Sequence, residues 1–443
     1  MPSPAREAAF DILFRVEQKD AYASELLHSE RLDALSPQDR ALCTELVMGT
    51  LRWRSRLDLG LGAVSSQPLD KLDPEVLTAL RLGTYQIAFL RLPVRAAVNE
   101  SVELVKRARR RYSVPFANAV LRKLAAKPEL MEPILSPGPK TVLDLAGLYA
   151  HPLWLAERWA ERYGIEVAEK ICAFDQQPPE TSLRLRDPAA EQELLQEGIE
   201  LQPGALLTSA RRVSKGAITQ TRAFREGRIA IQDEASQLVA LLVGGGERLL
   251  DCCAAPGGKT AIMAERNPEA EIIAADVHPH RAALLMERMR QWPNVTVMAA
   301  NATELGVCGL FDGVLADVPC SGTGTLARNP EIKWRLTSDD LSDLHGRQAA
   351  ILGATLQHVR GGGIMLYSTC SLEPEENVQV VEEVLQSRPD FRIVDCRGEL
   401  ERLNDSGELA WGDLDSLLDG PYLRTIPGVQ PGDGFFGAIL AKE

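Results

Sequence analysis

Two cysteines follow apolar segments in the second half of the chain and could act together. Cys320 lies in Asp-Val-Pro-Cys-Ser-Gly at 317–322, and Cys370 lies in Tyr-Ser-Thr-Cys-Ser at 367–371. Upstream, an apolar run ends in the loop Cys-Ala-Ala-Pro-Gly-Gly-Lys-Thr at 253–260. Glycines let backbone N–H groups approach a ligand closely. Together the three segments predict covalent chemistry beside a nucleotide-like cofactor.

A pair of thiols suits methylation of a pyrimidine at C5, a carbon too electron-poor to attack a methyl donor unaided. A thiolate that adds to C6 raises the electron density at C5. A proton must then leave C5 before the thiolate is expelled, so a second group near the ring is useful. Cysteine suits the first role because its thiol is partly ionised near neutral pH and is intrinsically nucleophilic. Basic surroundings or a helix N-terminus would increase the thiolate fraction.

At these residues the chain resembles the RNA cytosine-C5 methyltransferases, and within them the bacterial 16S ribosomal RNA enzymes of the RsmB/Fmu/Sun type. The resemblance rests on 253–260, on 317–322 and on Ser-Thr-Cys-Ser-Leu-Glu-Pro-Glu-Glu-Asn at 368–377. It implies that Cys370 is the nucleophile that attacks C6 and that Cys320 assists release of the enzyme from the product. In DNA cytosine methyltransferases the Pro-Cys loop carries the nucleophile instead.

The other cysteines carry no motif beyond the glycine loop and are interpreted as small buried apolar residues. They are Cys43, Cys172, Cys252, Cys253, Cys308 and Cys396. No pair has the Cys-x-x-Cys spacing of a zinc or redox site, so no metal is predicted. The N-terminus lacks an apolar signal core, and no run approaches the roughly 18 apolar residues of a membrane span. We therefore expect a cytoplasmic protein with reduced thiols and no membrane partner.

The predicted cofactor is S-adenosyl-L-methionine. Asp276 ends an apolar strand 18 residues after Gly258, close to the roughly 20 at which an acidic residue meets a ribose hydroxyl. A dinucleotide would fit this spacing equally, but the loop is not Gly-x-Gly-x-x-Gly and hydride transfer has no use for paired cysteines. In the family the third strand usually ends in Asp, where Asn301 stands here. The predicted cofactor-binding residues are Cys253, Ala254, Ala255, Pro256, Gly257, Gly258, Lys259, Asp276, Asn301 and Asp317.

Asp317 is also a catalytic candidate with Cys320 and Cys370. We expect it to hydrogen-bond the target base or the cofactor, and a turn-forming role is the alternative. Lys259 could favour a thiolate or a phosphate, or be an exposed lysine at a helix start. The polar residues around Pro374 are expected to cap a helix rather than to catalyse. They are Glu373, Glu375, Glu376 and Asn377.

The chain has 443 residues, more than one core usually supports, so two or three domains are expected. Apolar residues at three-to-four spacing predict helices in the first 140 residues. These helices are predicted over 5–18, 37–59, 74–90, 96–111 and 115–126. This part resembles the all-helical NusB-like RNA-binding domain that precedes the catalytic domain in the same family. A Pro-rich stretch at 136–139 is the expected linker.

The helix and strand patterns of residues 141–231 predict a small α+β region. The family resemblance implies that this region is an RNA-binding subdomain. Its alternating strand 181–186 carries Arg184 and Arg186, which could face a phosphate backbone or lie on a solvent-facing edge. Residues 232–443 alternate strand and helix patterns. This alternation predicts a doubly wound, Rossmann-like methyltransferase domain that binds ligands at the carboxyl ends of its strands. Strands are expected near 248–252, 271–276, 295–299, 311–317 and 363–369, with a late pair near 391–395 and 435–441.

The net charge of −13 is unevenly divided, with +4 in residues 1–140 and −17 in the remainder. Two basic clusters in the first part predict phosphate contacts, or alternatively solvated helix faces. They are Arg52, Arg54 and Arg56, and Lys106, Arg107, Arg109, Arg110 and Arg111. We expect a monomer that acts on small-subunit ribosomal RNA. A transfer RNA methyltransferase, a non-catalytic RNA-binding assembly factor and a thiol oxidoreductase remain alternatives.

Overall fold

A computed structural model of the chain describes residues 2–19, 21–29, 32, 34–90, 92–131, 139–306 and 309–443. These residues form two compact units. The first unit comprises Met1–Pro178 and Leu326–Arg335, and the second comprises Pro179–Thr325 and Leu336–Glu443. Most of the predicted linker at 136–139 lies outside the described residues, and so does Cys308.

The chain before the first strand is helical, as predicted. Pro4, Pro37 and Pro74 each occupy the first position of a helix, where the fixed φ of proline suits the first turn. Within the described ranges, no helix is both long enough and apolar enough to cross a membrane. The helices are α1 (Pro4–Gln18), α2 (Ala23–Leu27), α3 (Pro37–Arg52), α4 (Arg54–Val64), α5 (Pro74–Ala88), α6 (Val94–Arg107), α7 (Val114–Ala125), α8 (Val142–Leu148), α9 (Leu153–Tyr163) and α10 (Ile165–Asp175).

Apolar periodicity located the core of this helical part but not every helix end. Val98 and Val102 lie on the buried face of α6, as their spacing predicts. The single helix predicted over 37–59 is wrong, because Trp53 leaves helical geometry with ψ 11° and separates α3 from α4. The Trp53 ring stacks on Phe89 with centroids 4.9 Å apart. Such a contact between distant residues leaves no local sequence signal.

The basic cluster of Arg52, Arg54 and Arg56 is largely internal. Arg52 and Arg56 are only 5% and 8% exposed. Arg52 Nη2 donates to the carbonyl oxygen of Ala327 at 2.9 Å. Neither a phosphate contact nor a solvated helix face fits these two side chains, so both interpretations are wrong for them. Arg54 keeps some exposure and lies 3.9 Å from a carboxylate oxygen of Glu17.

The second unit begins with a small antiparallel sheet. The elements of this region are β1 (Thr181–Leu185), α11 (Ala190–Gln196), β2 (Glu200–Pro203), β3 (Ala210–Lys215), α12 (Arg222–Arg225) and β4 (Ile229–Ile231). The strand order is β2-β3-β1-β4, and Leu183 of the predicted strand is fully buried on the core side of the sheet.

Arg184 lies in β1 and Arg186 directly follows this strand, and both side chains have partners inside the second unit. Arg184 is 6% exposed and donates through Nη2 to Glu265 Oε1 at 3.0 Å. The prediction that Arg184 faces phosphate or solvent is therefore wrong. Arg186 stacks its guanidinium over the Trp292 ring at 4.6 Å and donates to the Gly227 carbonyl oxygen at 2.9 Å.

A larger sheet and its flanking helices follow the small sheet. The strands are β5 (Arg248–Asp251), β6 (Glu271–Asp276), β7 (Val295–Ala299), β8 (Phe311–Asp317), β9 (Val359–Thr369), β10 (Phe391–Val394), β11 (Leu418–Asp419), β12 (Tyr422–Thr425) and β13 (Phe435–Lys442). The helices are α13 (Glu234–Leu241), α14 (Gly258–Arg266), α15 (Pro279–Met289), α16 (Ile332–Arg335), α17 (Ser338–Thr355), α18 (Val378–Gln386) and α19 (Cys396–Asp405).

The larger sheet confirms the doubly wound prediction and adds antiparallel strands to it. Its order is β11-β12-β13-β9-β8-β5-β6-β7, and β10 pairs with β13. The strands from β9 to β7 run parallel. β13 is antiparallel to β9, β10 and β12.

The parallel strands bring the predicted functional segments to one edge. Asp251 pairs with Leu315 and Asp317 pairs with Ser368, so β5, β8 and β9 end close together. The chain leaves β5 toward β6 on one side and returns to β8 on the other. Ligands of such sheets bind where the strand order reverses, at the carboxyl ends.

Candidate active site

The two motif cysteines lie side by side at this edge. Cys320 follows β8 by three residues and Cys370 follows β9 directly, and both are partly exposed. Their Sγ atoms are 3.3 Å apart, a hydrogen-bonding distance for two thiols and too long for a disulfide. This hydrogen bond and, after it, burial raise the pKa of Cys320 well above its usual value. Cys320 therefore keeps its proton at neutral pH and can donate it toward the sulfur of Cys370.

Glu376 joins the two cysteine loops. Its carboxylate is fully buried and accepts from the backbone N–H of Ser321 at 2.7 Å and from the side-chain amide of Gln348 at 2.9 Å. The hydroxyl groups of Ser321 and Ser371 donate to its other oxygen. Each serine directly follows one of the cysteines, so one carboxylate fixes both loops.

Further contacts hold the loop of the later cysteine. Arg424 of β12 donates to the carbonyl oxygens of Ser371 at 3.0 Å and Leu372 at 2.8 Å. The side-chain amide of Asn377 also donates to the Ser371 carbonyl oxygen, at 2.9 Å. The antiparallel strands thus contribute a buried cation that orients the backbone after Cys370.

Asp317 and Lys259 form an ion pair at the end of β8. Lys259 Nζ donates to Asp317 Oδ2 at 2.7 Å, and Ser368 Oγ donates to Asp317 Oδ1 at 2.7 Å. The Lys259 ammonium also lies 4.9 Å from the centroid of the Phe435 ring. Its side chain is 11% exposed, so the interpretation of Lys259 as a solvent-exposed lysine is wrong. Both residues are fixed beside the cysteine loops.

The predicted glycine loop connects β5 to α14. Gly257 has a φ of +100° at the N-cap, a conformation that favours glycine. Behind the loop, Thr260 Oγ1 donates to Asp251 Oδ2 at 2.7 Å, and burial raises the pKa of Asp251 to about 7. Cys253 of the loop is partly exposed, whereas Cys252 is buried. The first N–H groups of α14 have no partner within the helix and can receive an anionic group.

Asp276 and Asn301 follow neighbouring strands of the same edge. Asp276 ends β6 and accepts from the His278 N–H at 2.9 Å through Oδ1. Asn301 lies two residues beyond β7 and accepts from the Thr303 N–H at 3.1 Å. Each side chain orders its own turn and keeps a second polar atom for another partner.

These residues fit an adenosyl cofactor with an amino-acid tail. The loop 253–258 presents backbone in place of long side chains, and the start of α14 suits a carboxylate. Asp276 is an acceptor for ribose hydroxyls at the adjacent strand end. The predicted cofactor-binding residues thus share one edge of the sheet.

Sequence reasoning missed two side chains that build this site. Glu376 was expected only to cap a helix, because Glu-Pro-Glu-Glu-Asn gives no sign of which glutamate is buried. Arg424 belongs to no motif and lies 54 residues after Cys370. Neither residue is distinguished by a local sequence pattern.

Comparison with known proteins identifies the parts of the chain. Residues 238–441 match the family described as 16S rRNA methyltransferase RsmB/F. Residues 3–126 match the NusB family, and 151–218 match the ferredoxin-like domain of RsmF/B-like methyltransferases. The second unit therefore carries a methyltransferase fold, and the first carries a NusB-like one.

Full-length relatives agree with these matches. A probable ribosomal RNA small subunit methyltransferase B of Bacillus subtilis is 37% identical over 87% of this chain and 89% of its own. A protein of the same description from Synechocystis is 33% identical over 99% of both chains. The crystal structure of a methyltransferase homolog from Pyrococcus horikoshii is 28% identical, covers 70% of this chain and 100% of its own, and has a TM-score of 0.56. The chain belongs to the 16S rRNA methyltransferase RsmB/F family.

Proposed function

We propose that this chain transfers a methyl group from S-adenosyl-L-methionine to C5 of a cytosine in small-subunit ribosomal RNA. The observation that carries the proposal is the 3.3 Å contact between the Cys320 and Cys370 sulfur atoms at the carboxyl end of a methyltransferase sheet. The names of the relatives support ribosomal RNA as the substrate class. We assign RNA binding to residues 1–140 and 141–231, and catalysis to 232–443.

In the proposed reaction Cys370 acts as the nucleophile. Its thiolate forms a bond to C6 of the cytosine, and the electron pair displaced onto C5 forms the bond to the methyl group. When bound, S-adenosyl-L-methionine would supply an electrophilic methyl group and would leave as S-adenosyl-L-homocysteine, with the electron pair of the broken S–CH3 bond on sulfur. The Cys320 thiol stabilises the Cys370 thiolate by S–H donation before the attack, because charge-assisted hydrogen bonds are the stronger ones.

Cys320 acts again in the release step. Once Cys370 is bonded to C6, Cys320 loses the hydrogen bond that most raises its pKa. Cys320 then ionises more readily and accepts the proton from C5. The electrons of the C5–H bond restore the C5–C6 double bond, and the bond between C6 and Cys370 breaks. Asp317 and Lys259 are assigned to fixing the base or the cofactor at the end of β8.

Methylation of defined RNA tests this function. Purified protein is incubated with S-adenosyl-L-methionine and either small-subunit ribosomal RNA or transfer RNA, and bisulfite sequencing then locates 5-methylcytosine. A methylated cytosine in ribosomal RNA alone is the expected result. Methylation of transfer RNA alone would replace the proposed substrate, and binding without methylation of either would identify an assembly factor.

A further inference from the structure

Tyr112 is the most exposed large apolar side chain among the described residues, at 69%. It lies in the turn 108–113 that joins α6 to α7, and Arg109 and Arg111 of the same turn are also exposed. All of these residues belong to the first unit. A single exposed ring is ordinary on a protein surface. This ring differs because its orientation is fixed and because the backbone beside it is strained.

Contacts with the start of α5 fix the Tyr112 ring. The Tyr112 hydroxyl donates to a carboxylate oxygen of Asp73, the residue that precedes α5. Arg110 Nη2 donates to Glu75 Oε1 in the first turn of α5 at 3.1 Å. The turn is therefore attached at two points while most of the ring faces solvent. A ring that is already ordered loses little conformational entropy when a ligand stacks on it.

Arg109 occupies a backbone conformation that normally belongs to glycine. Its φ is +61°, in the left-handed region where an L side chain is strained. The Arg109 N–H donates to the Lys106 carbonyl oxygen at 3.0 Å, and the Arg110 N–H donates to that of Val105 at 3.1 Å. Helices that end with this pair of bonds usually have glycine at the left-handed position. Strained residues cluster at functional sites, so a role for the arginine side chain would explain its presence here.

The exposed groups of the turn match an unpaired nucleic acid strand. Guanidinium groups bind phosphate oxygens, and an aromatic ring stacks on a nucleotide base. Bases in a duplex are already stacked on each other, so the Tyr112 ring suits a base that is splayed out of a loop or a single strand. An acidic peptide would pair with Arg109 and Arg111 but would not use the ring. The combination of the two kinds of group therefore favours single-stranded RNA.

We propose that the turn 108–113 binds an unpaired segment of RNA, with one base stacked on Tyr112 and adjacent phosphates bound by Arg109 and Arg111. The inference rests on the proposed function for the choice of RNA, and it adds the strand state that the first unit recognises. Arg109 keeps its strained backbone in this arrangement because glycine, which fits the backbone, has no side chain to bind a phosphate.

Substitutions of Tyr112 in the full-length chain test the stacking contact. The probe is a fluorescein-labelled RNA of about 12 nucleotides, within the usual site sizes for single strands, that alternates A and C and so cannot pair with itself. Tyr112→Ala should weaken its binding about 5- to 150-fold, the range of one base–aromatic stack. The salt slope should not change, because stacking releases no counterions. Tyr112→Phe keeps the ring and should bind within about threefold of wild type.

Two controls separate stacking from other effects. Tyr22→Ala removes another tyrosine of the first unit, 43% exposed, and should bind as wild type does. The same RNA annealed to its complement should bind wild type and Tyr112→Ala equally. Undiminished binding of the single strand by Tyr112→Ala would overturn the inference. Equal losses in Tyr112→Ala and Tyr112→Phe would also overturn it, because the hydrogen bond to Asp73 would then be the whole role of Tyr112.

Arg109→Gly and Arg109→Ala test the strained arginine. Both remove the charge and should lower the slope of log K against log salt by about 0.7. Only glycine relieves the left-handed strain, so only Arg109→Gly should raise the melting temperature, by about 2–4 °C. An unchanged slope in both variants would show that Arg109 binds no phosphate and would overturn its assigned role.

The proposed function is tested separately, by bisulfite sequencing. If wild type makes no 5-methylcytosine while Tyr112→Ala loses affinity for the probe, the proposed function fails and the inference about the turn stands. If wild type methylates ribosomal RNA while Tyr112→Ala binds the probe as wild type does, the inference about the turn alone fails.

Discussion

The pKa of Cys320 depends on its hydrogen bond with Cys370. The two sulfur atoms are 3.3 Å apart, and this hydrogen bond and burial raise the pKa of Cys320 well above its usual value. The proposed nucleophile is Cys370, in the loop that directly follows β9. The division of roles between the two cysteines stays a prediction from the motifs.

Substitution of each cysteine separates the two roles. We expect Cys320→Ala to form the bond to C6 and accept the methyl group but to release product poorly, so that a denaturation-resistant protein–RNA adduct appears on a gel. Cys370→Ala and the double variant should show no adduct and at least a 1,000-fold loss of methyl transfer, because no bond to C6 can form. An adduct in Cys370→Ala alone would reverse the assignment.

Asp251 should make stability depend on pH. Its folded pKa of about 7 lies above the value of 3.8 for a free side chain. The folded protein therefore holds a proton that the unfolded chain releases, and the free energy of unfolding falls as pH rises from about 4 to 7. We expect Asp251→Asn to raise the melting temperature relative to wild type by several degrees more at pH 8 than at pH 5. The exposed Asp405→Asn is the control, and an equal difference at both pH values would contradict the prediction.

At the scale of elements, the cysteine loops depend on one buried carboxylate. The Oε1 atom of Glu376 receives two obligate donors, from Ser321 N–H and the Gln348 amide, whereas the other oxygen receives hydroxyl groups that can also accept. A glutamine can therefore replace Glu376. Its amide oxygen would accept from the two N–H donors, and its amide nitrogen would donate to the serine hydroxyls. Alanine leaves the Ser321 N–H unpaired, which costs about 1–3 kcal/mol, and leaves Gln348 Nε2 with the Pro319 carbonyl oxygen as its acceptor.

We accordingly expect Glu376→Gln to lower kcat by no more than about tenfold and Glu376→Ala to lower it by 100-fold or more. The melting temperature should fall markedly in Glu376→Ala alone. Glu382 is an exposed glutamate of α18, and Glu382→Ala should behave as wild type in both measurements. Equal effects of Gln and Ala at position 376 would show that the charge, rather than the hydrogen bonding, matters.

Local sequence patterns predicted most helices and strands, but they did not predict features that depend on contacts between distant residues. The strand ends at Asp251, Asp276 and Asp317 lie where the apolar runs stop. The break at Trp53 depends on stacking against Phe89, 36 positions away. The contacts of Leu326–Arg335 likewise depend on distant elements, because its side chains bond to backbone groups at the ends of α1, α2 and α3. Physical chemistry explains these features once the fold is known, but the sequence alone contains no periodic signal for them.

At the scale of the whole molecule, the basic cluster at 106–111 is the remaining candidate for contact with RNA. Lys106, Arg107 and Arg110 pair with acidic side chains at 2.6 Å, 2.8 Å and 3.1 Å. Arg109 and Arg111 are exposed beside them. These two arginines are the best candidates for phosphate contacts in the predicted RNA-binding domain.

We expect Arg109→Ala with Arg111→Ala to weaken RNA binding and to reduce the salt slope of log K by about 1.5, since each phosphate contact contributes about 0.7–0.9. The affinity for S-adenosyl-L-methionine should not change. Arg392→Ala with Arg402→Ala removes the same charge from the second unit and is the control. Fluorescence titration at several salt concentrations measures the slope. An unchanged slope would show that this cluster does not contact RNA.

The segment Leu326–Arg335 belongs to the helical unit but is synthesised long after the rest of it. Residues 1–178 leave the ribosome first, but α1, α2 and α3 receive their final partners only when Leu326–Arg335 has been made. At typical rates of synthesis that delay is roughly 10–30 s. During this delay, the carbonyl oxygens of Leu51 and Arg52 lack the hydrogen bonds that Trp334 Nε1 and Lys333 Nζ donate to them in the folded protein. The helical unit therefore remains incompletely capped until Leu326–Arg335 has been synthesised.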